Sequence, residues 1–286
     1  MHRQRQMSGT LLIAFLFAVP ASAQALEGTL KAIKERKAMV IGYLKDAYPM
    51  SFEGPNGPDG YSVELCRRVA DEAGKATGIE KLEVRYVPVT LENRFDSVAS
   101  GKVDIECGTT TATLSRMQKV DFTNLIFADA GSLAVKKGSP IRNLAALVDE
   151  SVAVVPGTTT EKALRGAISQ SYIRAKVVDV PDHAAGIAAV QTGKVSAYAS
   201  DRIILAGLLV KPPGAGLDLV PMQFSFEPYG LMVRRGDADF RLVANRALSR
   251  VYRSNDIGNI FERWFGAMGK PGDLLLMMYV LNATPE

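Results

Sequence analysis

Three threonines and an arginine stand close enough together to hold an anion. In residues 103–123, VDIECGTTTATLSRMQKVDFT, Thr109, Thr110 and Thr111 follow Cys107-Gly108, and Arg116 comes five residues after the last of them. A short apolar strand that stops at glycine and opens into a hydroxyl-rich helix start presents free backbone N–H groups, a natural seat for negative charge. The planar fork of an arginine binds a carboxylate through two bonds. The same residues also fit a threonine-capped helix carrying a surface arginine. A second Gly/Thr turn, Pro156-Gly157-Thr158-Thr159-Thr160, has the same local chemistry, and Arg94, His183 and Asp201 fall at other expected loop ends.

Taken together, these groups describe the polar ends of an α-amino acid. A carboxylate suits Arg116 with Thr109 and Thr111. An ammonium suits Asp201, and a second acidic group suits Arg94 with His183. Thr158 and Thr159 supply hydroxyls, and Tyr48 or Phe52 can cover an apolar face. Each has an ordinary structural use as well: Arg94 as a surface residue at a helix start, His183 beside a capping Asp182, and Asp201 as an N-cap.

The elements that must position these residues are legible in the hydrophobic spacing. Residues 38–44, 82–87 and 103–106 read as strands; 30–37, 61–76 and 91–100 read as helices. Residues 45–60, with three prolines and three glycines, read as a structured turn region. Residues 122–136 form an extended run too long for one ordinary strand. A second set follows, with strands at 151–155, 175–180, 196–199 and 217–220 and helices at 161–169, 182–192 and 201–209. Residues 226–234 run extended again, and helices at 237–253 and 257–265 close the chain. The order argues for two α/β lobes joined by two crossover strands, with parallel sheets whose carboxyl-end loops face a shared cleft. The expected division is 24–132 plus 228–286 for lobe 1 and 133–227 for lobe 2. The apolar segment LLLMMYVL (274–281) is too short to span a bilayer and reads as a tail laid on a lobe or a dimer contact.

Composition narrows the class. His2, Arg3 and Arg5, an apolar stretch at 11–19 and Ala21-Ser22-Ala23 form the pattern of a signal peptide over residues 1–23, which implies export to a periplasm. Loss of Arg3 and Arg5 leaves 32 of the 34 basic residues against 30 acidic ones. No basic cluster is dense enough to suggest nucleic acid. The two cysteines, Cys66 and Cys107, either pair in an oxidising compartment or stay as buried thiols. No metal site or cofactor is expected, and His183 is the one histidine left after the leader.

The segments VIGYLKDAYPMSF, GYSVEL, ENRFDSVASGKVDIECGTTTATLSRMQKVDFT, VPGTTTE and SDRIILAG resemble family 3 of the periplasmic solute-binding proteins, which serve polar amino-acid ABC transporters. The nearest subgroup is the glutamate/aspartate-binding proteins, and the stretch from IECGTTT to Arg116 is the most specific part. The resemblance implies a type II periplasmic binding fold that closes on an L-amino acid and delivers it to an inner-membrane ABC permease; a monomer is expected. It implies that Arg116, Thr109 and Thr111 take the α-carboxylate, that Asp201 takes the α-ammonium, and that Arg94, Thr159 and His183 sit near the side-chain end. Leu44 and Leu91 depart from the subgroup, where an Arg and a Ser are expected, so a neutral polar amino acid stays open. The alternative is an enzyme on the same scaffold, a cyclohexadienyl (prephenate/arogenate) dehydratase, with Glu106 as its acid.

Overall fold

The computed structural model describes residues 25–210 and 216–285; the leader expected at 1–23 lies outside them. The chain opens with α1 (Gly28–Arg36) and β1 (Ala38–Tyr43). A small antiparallel sheet follows, formed by β2 (Asp46–Ala47), β3 (Ser51–Gly54) and β4 (Gly57–Asp59). Then come α2 (Tyr61–Thr77), β5 (Glu83–Pro88), α3 (Arg94–Ala99) and β6 (Ile105–Glu106). The apolar run of β1 lies between β5 and β6, parallel to both, as expected of a strand covered on both faces. Gly78, at φ 72°, ends α2 in the left-handed conformation that glycine adopts without penalty. Cys66 on α2 and Cys107 after β6 are joined by a disulfide, with a Cα–Cα distance of 6.3 Å.

The long extended run is two strands, β7 (Val120–Asp129) and β8 (Gly131–Lys136), broken at Ala130 where the chain passes between sheets. The second lobe then contains β9 (Ser151–Val154), α4 (Thr159–Gln170), β10 (Lys176–Asp179), α5 (His183–Gln191), β11 (Ala197–Asp201), α6 (Arg202–Leu209) and β12 (Leu217–Leu219). β13 (Glu227–Arg234), α7 (Ala238–Arg253), α8 (Asp256–Phe265) and α9 (Asp273–Asn282) return to the first lobe. The first sheet has the order β5-β1-β6-β13-β7 and the second β10-β9-β11-β8-β12. β7 and β13 pair antiparallel out to Asp129 and Glu227, so the two crossings run side by side as a hinge. One core cluster fills the first lobe, and two flank the second sheet.

Three expectations are corrected. The helix read over 91–100 begins only at Arg94, because Thr90 and Asn93 hold each other's backbone N–H at 3.0 and 3.1 Å and keep the segment before it in a turn. Residues 109–111 start no helix. Their backbone is taken up by β13: Ala112 N donates to Pro228 O (2.8 Å), Gly230 N donates to Thr110 O (3.2 Å), and Thr111 bridges Tyr229. A helix N-terminus therefore does not form the anion seat, and Arg116 sits on a single 3-10 turn. Residues 45–60 form the three-stranded sheet rather than a turn region. The apolar tail is helix α9, laid on the first lobe through Leu275, Met278 and Tyr279. On its other face Leu274, Leu276, Met277, Val280 and Leu281 are 45–77% exposed. Among the described residues no helix is long and apolar enough to cross a membrane.

Candidate ligand-binding site

Between the lobes lies a narrow cavity of about 20 Å³, room for little more than a water. Arg94, Thr109, Arg116, Thr158, Thr159, His183 and Asp201 all line it, with Leu91. They converge from α3, the segment after β6, the 3-10 turn, the starts of α4 and α5, and the end of β11.

The first lobe contributes the cations. Arg94 is 2% exposed, and its Nε and Nη1 have no hydrogen-bond partner. Arg116 donates from Nη1 to Thr111 O (2.9 Å) and from Nη2 across the cleft to Gly157 O (3.4 Å). Both guanidinium carbons stand 5.3 Å from the centre of the Phe95 ring, a cation–π arrangement with one ring serving two charges. Burial pushes the Arg116 pKa down to about 10, and neighbouring Arg94 adds to the shift. Burial also lowers Arg94, opposed by the charge of Glu106 and Asp201. Two cations in one dry pocket, one with unused donors, are arranged to receive negative charge.

The opposite wall contributes the carboxylate of Asp201, and Glu227 and Asp129 lie near it outside the lining. Asp201 occupies the N-cap position of α6 but makes no capping bond. Instead it accepts from the Thr160 hydroxyl and the Tyr229 hydroxyl. Burial, then the charge of Glu227, pushes its pKa up to about 6. Glu227, 1% exposed, accepts from Thr111 (2.6 Å) and Thr159 (2.5 Å) on one oxygen and from Ser225 (2.6 Å) on the other. Asp129 accepts from the backbone of Ile203 (2.9 Å) and lies 3.3 Å from the Tyr229 hydroxyl; burial raises its pKa to about 7, and Asp201 adds to the shift.

His183 joins the two walls. Its backbone N–H donates to Asp46 of β2 (3.1 Å), its Nδ1 meets the Tyr198 hydroxyl at 2.7 Å, and its Nε2 has no partner. Burial lowers its pKa, favouring the neutral ring. Thr158 caps α4 by accepting from Glu161 N (3.0 Å) and donates to Val155 O (2.8 Å).

Two expected residues stand elsewhere. The Thr111 hydroxyl turns to Glu227 and lies 3.1 Å from the Thr159 hydroxyl, so it bonds across the lobes rather than lining the cavity. Tyr48 is outside the cavity, because its ring packs edge-on to Phe52 (centroids 5.0 Å apart) and its carbonyl backs onto Gly207 of α6. A side chain at Gly207 would place a Cβ 2.4 Å from that oxygen. Leu44 also lies off the cavity, against Gly108. Glu106 sits beside them, with its Oε2 accepting from Thr110 at 3.0 Å. Glu227 and Asp129 escaped the sequence reading. Their one signal is an acid inside each extended apolar run, at the two points where the chain changes lobes.

Residues 39–267 match the bacterial extracellular solute-binding proteins, family 3. The chain belongs to this family. It is 34% identical to the L-glutamate/L-aspartate-binding protein of Pseudomonas aeruginosa, over 90% of this chain and 86% of that protein. It is 28% identical to the glutamate/aspartate import solute-binding protein of Escherichia coli, over 89% and 85%. Among solved structures, it superposes with a TM-score of 0.73 and 27% identity on an ancestral amino acid-binding protein described as a precursor of cyclohexadienyl dehydratase, covering 83% of this chain and all of that one. Its two-lobed α/β architecture is the type II periplasmic binding fold. Among the described residues no group of His, Cys, Asp and Glu is placed to hold a metal ion.

Proposed function

We propose that this family 3 protein is the periplasmic binding component of an amino-acid ABC transporter and that its ligand is an acidic L-amino acid. The observation that carries the choice of ligand is Arg94, a buried cation whose Nε and Nη1 have no partner, in the same cavity as Arg116. One cation serves the α-carboxylate; a second, with His183 Nε2, serves a side-chain carboxylate. Thr109 and Thr159 add hydroxyls, and Asp201 takes the ammonium.

Capture needs no covalent step. The lobes part at Thr111–Thr159, Arg116–Gly157 and His183–Asp46, the ligand docks on the arginines, and the second lobe returns with Asp201. Excluding water strengthens each charge-assisted bond. A micromolar Kd needs about 8 kcal/mol, within reach of a few such bonds. The closed monomer is then what a permease reads. On this reading residues 1–23 are a cleaved export signal, 24–132 with 228–286 form one lobe, and 133–227 form the other. No observation favours the dehydratase: Glu106 does not line the cavity, and Asp201, which does, is already hydrogen-bonded by two hydroxyls.

A thermal-shift panel of L-amino acids, prephenate and arogenate on ligand-stripped protein tests this. A ligand at 100 times its Kd adds about 2.7 kcal/mol. The expected result is a shift with glutamate or aspartate, smaller with glutamine and lost in Arg116→Ala. No shift with any amino acid, together with turnover of prephenate or arogenate, overturns it.

A further inference from the structure

A second cavity, of about 510 Å³, opens at the hinge and shares no lining residue with the first. Its walls come from both lobes: Ile203 and Ala206 of α6 on one side, Phe261 and Phe265 of α8 on the other, with the crossings contributing Phe127 and Phe226. The volume is that of a small-molecule site. Phe226 stands 60% exposed. Two cations, half-buried Arg202 and exposed Lys270, belong to the same lining. Neither side chain has a hydrogen-bond or ion-pair partner among the described residues, although the Arg202 backbone N–H donates to Ala130 O at 2.8 Å. An aromatic cup with two cations against one carboxyl, that of Asp129, is complementary to an apolar body bearing one negative group.

The cavity is also connected to the first. Asp129 lines the hinge cavity and Asp201 the ligand cavity, and the Tyr229 hydroxyl bonds Asp201 while lying 3.3 Å from Asp129. Moreover, its opposite walls belong to different lobes, so parting the lobes moves α6 relative to α8. A molecule that touches both walls prefers the geometry in which both are in place.

We propose that the hinge cavity is a second ligand site, for a small aromatic or branched apolar molecule with one anionic group, and that filling it favours lobe closure. The site stands whatever the cleft binds; its effect on amino-acid affinity rests on the function proposed above. The probe is 1-anilinonaphthalene-8-sulfonate, titrated by fluorescence into the full protein. Saturable one-to-one binding is expected, weakened at least fivefold in Arg202→Ala, blocked in Ala206→Trp and unchanged in Val280→Lys on the exposed face of α9. No saturable binding overturns the site, as does binding lost in Val280→Lys but kept in Arg202→Ala. Small-angle scattering with the probe alone reads closure without any amino acid, and a smaller radius of gyration is expected. Where glutamate binds, the probe tightens it at least threefold, and glutamate tightens the probe by the same factor. An unchanged radius, or unchanged or weakened glutamate binding by a protein that binds both, overturns the coupling.

Discussion

The two walls of the ligand cavity are built on opposite plans. On the carboxylate side, Asp201 in the wall already accepts from two hydroxyls, and Glu227 outside the lining from three. On the cation wall, Arg94 keeps Nε and Nη1 without partners, and the Arg116 guanidinium donates to two backbone carbonyls over the Phe95 ring. A buried carboxylate supplied with donors is a stable part of the fold, whereas a buried cation without acceptors costs free energy until an anion arrives. On the function proposed above, the contrast separates the half of the site that is structure from the half that supplies affinity.

The largest test of that contrast is Arg116→Ala. Removing one partner of a buried charged contact costs about 2–5 kcal/mol, so titration calorimetry should show at least about a thirtyfold loss of amino-acid affinity. An effect below tenfold would remove Arg116 from the site. Arg94→Met sharpens the comparison, because it replaces an unsatisfied buried charge with an apolar chain of similar length. The free protein should keep or raise its Tm, while discrimination between glutamate and glutamine falls by an order of magnitude or more. A lower Tm would mean that Arg94 is already satisfied by the fold.

The pH response separates the walls again. Burial, with the charge of neighbouring carboxylates, pushes Asp129 up to about 7 and Asp201 up to about 6, against an ordinary aspartate value of 3.8. The folded protein thus holds protons that the unfolded chain releases. Their contribution to stability is full below about pH 4 and is lost as pH rises through 6 and 7. Wild-type protein should gain Tm on going from pH 8 to pH 5.5 relative to Asp129→Asn, which keeps the neutral form throughout. Ligand affinity should move the other way, since an ammonium needs ionised Asp201. It should weaken by at most about tenfold per unit below pH 6. The smallest expected effect is Leu91→Ser, which adds a hydroxyl to the cavity lining beside Arg94. About 1 kcal/mol per hydrogen bond predicts a roughly fivefold gain for glutamate, and no gain would place the side-chain carboxylate elsewhere.

Much of this site was readable because its parts obey local rules. Arg94, Thr158, His183 and Asp201 all stand at loop ends next to apolar runs of strand or helix period, and such ends meet at the cleft of a two-lobed α/β protein. Periodicity does not report where a side chain turns once lobes touch. Thr111 and Tyr48 were expected at the ligand. One is captured by Glu227, and the other is held by Phe52 and by the close approach of Gly207. The helix expected at 109–111 failed for a similar reason, since β13, more than a hundred residues later, takes up its backbone groups.

The sequence by itself determined the two α/β lobes, the double crossing and the set of charged groups brought to the cleft, because these follow from hydrophobic period and from turn residues acting over a few positions. Only the tertiary structure decided that Asp201 and Glu227 are supplied with hydroxyl donors while two donors of Arg94 are left without acceptors. That depends on which hydroxyls from distant strands reach which oxygen across a dry interface, a distance that no local pattern encodes.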